Sequence, residues 1–169
     1  MALVKGPFDL TWGSNTLRDV SEVSVDYSQD SNDYTTVDNR RYTVDGPISS
    51  SVTLTFLASD VAALAAVLPQ YHVANGDTLS SCETVTDADG AIDVVAASCD
   101  TNPVYNDLDI ISCGTPGQVF RLKNARTKID SIDIADNSLR TVAVMFVGEP
   151  ESGVASIQFF TEGTVSSAS

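Results

Sequence analysis

Apolar and polar residues alternate one by one in four stretches of the chain, which is the period of a β-strand with one face turned to a core. From Glu22 to Ser28, Val23, Val25 and Tyr27 share one face, and Glu22, Ser24, Asp26 and Ser28 share the other. Between Ser51 and Phe56 the phases are Val52, Leu54 and Phe56 against Ser51, Thr53 and Thr55. Around Ser131 to Ala135, Ile132 and Ile134 oppose Ser131 and Asp133. From Thr141 to Phe146, Val142, Val144 and Phe146 oppose Thr141, Ala143 and Met145. The bulky phase of each strand is expected in the core. Shorter strands are predicted at Pro7 to Trp12, Leu108 to Ser112, Gln118 to Lys123 and Ser156 to Thr161, with turns at Gly13-Ser14-Asn15, Gly114 to Gly117 and Asp136-Asn137.

The pattern predicts a single helix, Ser59 to Leu68. Ser59 suits the N-cap, Asp60 suits the positive end of the dipole, Val61, Leu64, Ala65 and Leu68 recur at helical spacing, and Pro69 stops the run. Leu64 and Leu68 are expected to pack on the sheet. Gln29 to Asn39, rich in Asp, Ser, Asn and Thr, and Thr84 to Ala91 read as loops. The fold class is therefore mainly β, a sandwich or partial barrel with one flanking α-helix. Its 169 residues fit one domain, with a candidate outward insertion at about 75–117.

Charge narrows the function. Asp and Glu outnumber Lys and Arg by 23 to 9, a net charge of -14 that repels nucleic-acid phosphate, anionic lipid and other copies of the chain unless specific contacts overcome it. The longest unbroken apolar run, Val61 to Leu68, is too short to span a bilayer, so the expectation is a protein of the cytosol with no membrane insertion. Phosphate-loop, dinucleotide, nucleophile-elbow and metalloprotease patterns are absent, and the expectation is no enzyme, no catalytic residues, no cofactor and no metal. His72 stands without a nucleophile or an orienting acid in sequence and reads as a loop or surface residue. Asp87, Asp89 and Asp93 around Gly90 lack the closing Glu of a calcium loop and read as a solvated acidic turn. Cys99 and Cys113 flank a predicted hairpin and could form a disulfide, or stay free thiols in a reducing compartment. Arg40 and Arg41 adjoin an acidic stretch, either as a turn that offsets local charge or as an intersubunit contact.

The opening Gly6-Pro7-Phe8-Asp9-Leu10-Thr11-Trp12, the strand Asp19 to Tyr27, and Tyr42-Thr43-Val44-Asp45-Gly46 leading into Val52 to Phe56 and the Ser59 to Leu68 helix resemble the tail tube (major tail) proteins of tailed bacteriophages. The resemblance covers roughly the first 70 residues and beyond them only the order of strands. It implies a virion tail protein made in the bacterial host cytoplasm: a homo-hexameric ring with a continuous inner β-barrel, stacked into a hollow tube that DNA traverses without specific binding. It also implies contact with terminator, baseplate and tape-measure proteins. On that reading Glu22, Ser24, Asp26, Ser51, Thr53, Thr55, Ser131 and Asp133 face the lumen, and Asp30, Asp33, Tyr34, Arg40 and Arg41 reach the next ring through a long hairpin loop. Other ring-forming components of phages or contractile injection machines, and a carbohydrate-binding or adhesion sandwich, are the alternatives.

Overall fold

A computed structural model describes residues 8–18, 20–57, 61–95, 103–113, 116–135 and 138–166, without the side chains at 135 and 138–140. The strands are β1 (Phe8–Trp12), β2 (Asn15–Leu17), β3 (Val20–Thr35), β4 (Arg41–Leu57), β5 (His72–Val73), β6 (Ala91–Ile92), β7 (Asn106–Ser112), β8 (Gln118–Ala135), β9 (Ser138–Gly148) and β10 (Ile157–Thr161). Between β4 and β5 lie the helix α1 (Val61–Val67) and a 3-10 turn at Pro69–Tyr71. The helix is where the spacing of Val61, Leu64 and Leu68 put it; Ser59 and Asp60 lie outside the described residues. The chain is mainly β, built on a large antiparallel sheet, in the order β2-β1-β7-β8-β9-β4-β3 with β10 also on β8.

β8 organises this sheet, because it changes partners halfway. Its first half lies between β7 and β10, with Ile110 opposite Phe120 on one side and Phe159 opposite Phe120 on the other. Its second half, from Ala125 on, pairs with β9. Asn124 stands at the switch with φ 50, a left-handed conformation that Asn tolerates better than most residues, and its N–H donates to Asp107 Oδ1 at 2.9 Å. The sequence reads Gln118–Lys123 and Ser131–Ala135 as separate strands; they are one.

The sheet curls around one core. Trp12 of β1 meets Phe146 of β9 edge to face at 5.8 Å and donates its indole N–H to the Ala125 carbonyl at 3.1 Å. Val52, Leu54 and Phe56 of β4, Val142, Val144 and Phe146 of β9, Leu108 of β7 and Leu122 of β8 fill the interior, closed at one side by Leu64, Val67 and Leu68 from the helical segment. Gly148, opposite Ala125, sits in close packing: a Cβ there would come within 2.8 Å of Leu122 Cδ1, so the leucine would have to shift.

Two sequence expectations are corrected. Gln29 to Asn39 is not a loop, since β3 runs to Thr35 and β4 starts at Arg41, and only the tip between them turns. Polar residues that favour turns are held here in a ladder, with Tyr34 directly opposite Tyr42 and Asn32 opposite Val44. The apolar phase of β3 is not core either. Val23 sits opposite Leu54, which is wholly buried, yet Val23, Val25 and Tyr27 are themselves 40%, 46% and 57% exposed. The reason is position: β3 is the outermost strand, and among the described residues Val20 is its one residue packed against the core. Ile132 and Ile134 near the far end of β8 are exposed in the same way.

The stretch at about 75–117 is described except at 96–102 and 114–115. Residues 74–90 make an excursion joined at its base by β5 and β6 and anchored by buried Val85, whereas β7 is a central strand between β1 and β8.

Candidate functional surface: a four-stranded wall with two free edges

Beyond the core, β3, β4, β9 and the second half of β8 continue as a four-stranded antiparallel wall. Paired residues share a face, so the registers assemble rows across it. One row reads Glu22, Thr55, Ala143, Ser131; the next reads Ser24, Thr53, Met145, Lys128; a third reads Asp26, Ser51, Val147, Arg126. Asp133 lies opposite Thr141 at one end of the same face. All eight residues expected to line a lumen, Glu22, Ser24, Asp26, Ser51, Thr53, Thr55, Ser131 and Asp133, thus share one face of the wall. Val25, Val52 and Phe146, with their row neighbours, form the other face.

The sequence reading missed two members of the polar face. Arg126 and Lys128 fall between the segments read as separate strands, and the signal that finds them is the period of two running back from Ser131 across the bulge at residue 130. Arg126 donates to Glu149 Oε1 at 2.5 Å; this bond, first among its causes, holds the Glu149 carboxyl below its ordinary range, and the same bond raises the arginine. Lys128 makes no ion pair among the described residues, and neither do Glu22, Asp26 or Asp133. Glu22 and Asp26 therefore stand on the β3 side of the face, and the β8 side carries the basic Lys128 together with Asp133, so the wall is not uniformly acidic.

Both margins of the wall have unpaired backbone. β3 pairs only with β4, and β8 beyond Ala125 pairs only with β9 among the described residues. At the root of that second margin, Gln70 Nε2 donates to the Thr127 carbonyl at 2.9 Å, which marks where the open stretch begins. Open edges of this length are templates for adding another strand. The exposed apolar side chains Val23, Val25 and Tyr27 lie at one margin and Ile132 and Ile134 at the other.

The tip of the β3–β4 hairpin carries the residues expected to reach a second ring. Arg41 binds Asp33 at 2.6 Å, and Thr43 donates to the same carboxylate at 2.7 Å; the Thr43 and Arg41 bonds, in that order, lower the Asp33 pKa. Arg40 lies 3.5 Å from Asp38, and Thr36 Oγ1 donates to Asp38. In the protomer these two arginines meet acids of their own hairpin. Tyr34, Tyr42 and Val44 are 56%, 50% and 53% exposed on the opposite face of the tip, and Asp30 packs its backbone against Gly46 at the bulge below.

The remaining candidates take structural positions. His72 Nε2 lies 3.1 Å from the Asp89 carbonyl, Asp87 accepts from the Asp89 N–H at 2.9 Å, and Asp93 accepts from Ser80 N–H at 2.7 Å and Oγ at 3.1 Å, so the carboxylates Asp87 and Asp93 serve to shape turns. Among the described residues no group of acids, His and Cys is arranged to hold a metal. Cys82 and Cys113 are exposed free thiols, and Cys99 lies outside the described residues. No described helix is long and apolar enough to cross a membrane.

No family model and no curated protein sequence matches the chain. Among solved structures, a chain of the PVC sheath-tube complex, an extracellular contractile injection system in the extended state, is similar at 14% identity and a TM-score of 0.48, covering 91% of this chain and 88% of that one. The tube terminating cap of the anti-feeding prophage shares 13% identity at a TM-score of 0.48, over 95% of each chain. The PVC sheath/tube terminator shares 15% identity at 0.47, over 94% of this chain and 99% of that one. These neighbours are structural components of injection machines; likeness at this level assigns no function by itself.

Proposed function

We propose that the chain is a structural subunit of a phage-type tail tube: six copies close a ring by pairing β3 of one with the second half of β8 of the next, and the rings stack into a conduit for DNA. The observation that carries this reading is the wall with two free edges. In the order β3-β4-β9-β8 the strands alternate in direction, so the β8 edge of a second copy meets β3 antiparallel and continues the sheet without a break. The contact is head to tail, the type that closes rings. With the rows continued straight across the joint, it also sets Val23 opposite Ile129 and one row from Ile132 of the neighbour on the other face, covering apolar surface that a lone protomer leaves in water. Six is the copy number that the tail-tube resemblance implies, and the polar face is the one turned to the lumen.

The hairpin tip is assigned to stacking. Its arginines already hold Asp33 and Asp38, so the contact between rings rests on the exposed Tyr34 and Tyr42. Tyr34→Ser with Tyr42→Ser is expected to leave rings intact and to stop tubes growing; tubes of normal length in that variant, by negative-stain microscopy, would remove the tip from the stacking contact.

Assembly itself is tested with the unmodified chain. Light scattering across a concentration series, followed by negative-stain microscopy, is expected to show rings and then long tubes. Rings that never stack would point instead to a terminator-like component. A chain that stays monomeric at millimolar concentration would sink the reading.

A further inference from the structure

We infer that the joint between copies is selected by charge, with Lys128 of one protomer seated against Glu22 and Asp26 of the next; this rests on the ring reading above. On one face of the wall the β3 edge carries Glu22 and Asp26, and the β8 edge carries Lys128 between Arg126 and Ser131, with Asp133 one row beyond Ser131. Glu22 and Asp26 lie on β3, the only strand edge on that side, and Lys128 lies on the open stretch of β8. None of the three has an ionic partner within the described protomer, whereas Arg126, in the next row, is already held by Glu149. When the rows continue straight across the joint, Lys128 comes opposite Ser24, one row from Glu22 and one row from Asp26. Both carboxylates are then at the diagonal distance that a long side chain spans, about 7–8 Å between backbones.

In a chain with a net charge of -14, Lys128 is an unpaired basic charge on the edge that approaches Glu22 and Asp26.

Two charge-reversed chains test this, Lys128→Glu and Glu22→Lys with Asp26→Lys. The first places an acidic side chain between Glu22 and Asp26 of the neighbour, and the second places basic side chains on both sides of Lys128. Each alone is expected to fold, by circular dichroism and melting, but to need at least about tenfold higher concentration for rings than the unmodified chain, since like charges now face each other at every joint. Mixed in equal amounts they are expected to form rings of alternating copies at the normal concentration. Lys128→Arg, which keeps the charge, is expected to assemble normally. If the unmodified chain forms rings and either reversed chain alone does so equally well, the charge assignment falls while the ring reading stands. Failure of two folded variants to assemble on mixing, or loss of rings in Lys128→Arg, overturns it as well. If the unmodified chain forms no rings, both fall together.

Discussion

Phe146→Ala is expected to destabilise the protomer by about 3–5 kcal/mol, the usual cost of emptying an aromatic site in a packed core. Phe146 is wholly buried and meets Trp12 from the other side of the curled sheet, so its removal leaves a void that neither β1 nor β9 can close alone. For a chain of this length the melting temperature should fall by roughly 10 °C. Val25→Ala is the control. Val25 carries the same residue class on the same face of the wall but is 46% exposed in the protomer, so its loss should change monomer stability by less than about 1 kcal/mol. Equal losses at the two positions, measured by denaturant melts of the monomer, would show that the core does not end at the β4 row.

The second large effect tests the proposed passage of DNA through a tube of this chain. Ser51 and Thr53 are on β4, an inner strand of the wall, away from both joints and between the acids of β3 and the bases of β8. Ser51→Lys with Thr53→Lys is expected to leave the core phase and the joints intact, so rings and tubes should form. Each copy then adds two positive charges to the polar face, the side proposed to line the lumen. Duplex DNA within about 8 Å of that face, the Debye length at physiological salt, would be held by counterion release. Particles built from this variant should eject DNA slowly or incompletely, and raising the salt should relieve the defect. Ejection at the normal rate in low salt would mean that this face does not meet the DNA.

How much of this was legible in the sequence differs from strand to strand. The alternation at Ser51 to Phe56 and Thr141 to Phe146 gave both the strands and their buried faces, because β4 and β9 lie in the middle of the sheet with the core directly beneath. The same alternation at Glu22 to Ser28 gave the strand and the wrong environment for its apolar face. A period of two separates two faces but carries no information about what covers either, and an edge strand whose apolar face awaits a neighbour has the same pattern as a core strand. The Gln29 to Asn39 stretch was hidden by composition. Its Ser, Asp and Asn residues favour turns in isolation, and pairing with Arg41 to Asp45 overrides that preference. Arg126 and Lys128 were lost for a related reason: Asn124 and the bulge at residue 130 interrupt the rhythm of β8 twice, so a strand of 18 residues read as two short ones.

That continuous β8 has a mechanical consequence. Its first half is clamped between β7 and β10 and its second half belongs to the wall, with no loop between them. A radial push on the wall therefore cannot be taken up by a hinge. It is transmitted along the backbone of β8 and resisted by the ladders on both sides of Gln118 to Leu122, loaded lengthwise so that many hydrogen bonds must yield together. The protomer behaves as a cantilever rooted in its own core, and a cylinder built from such units, as proposed, would be stiff against dilation.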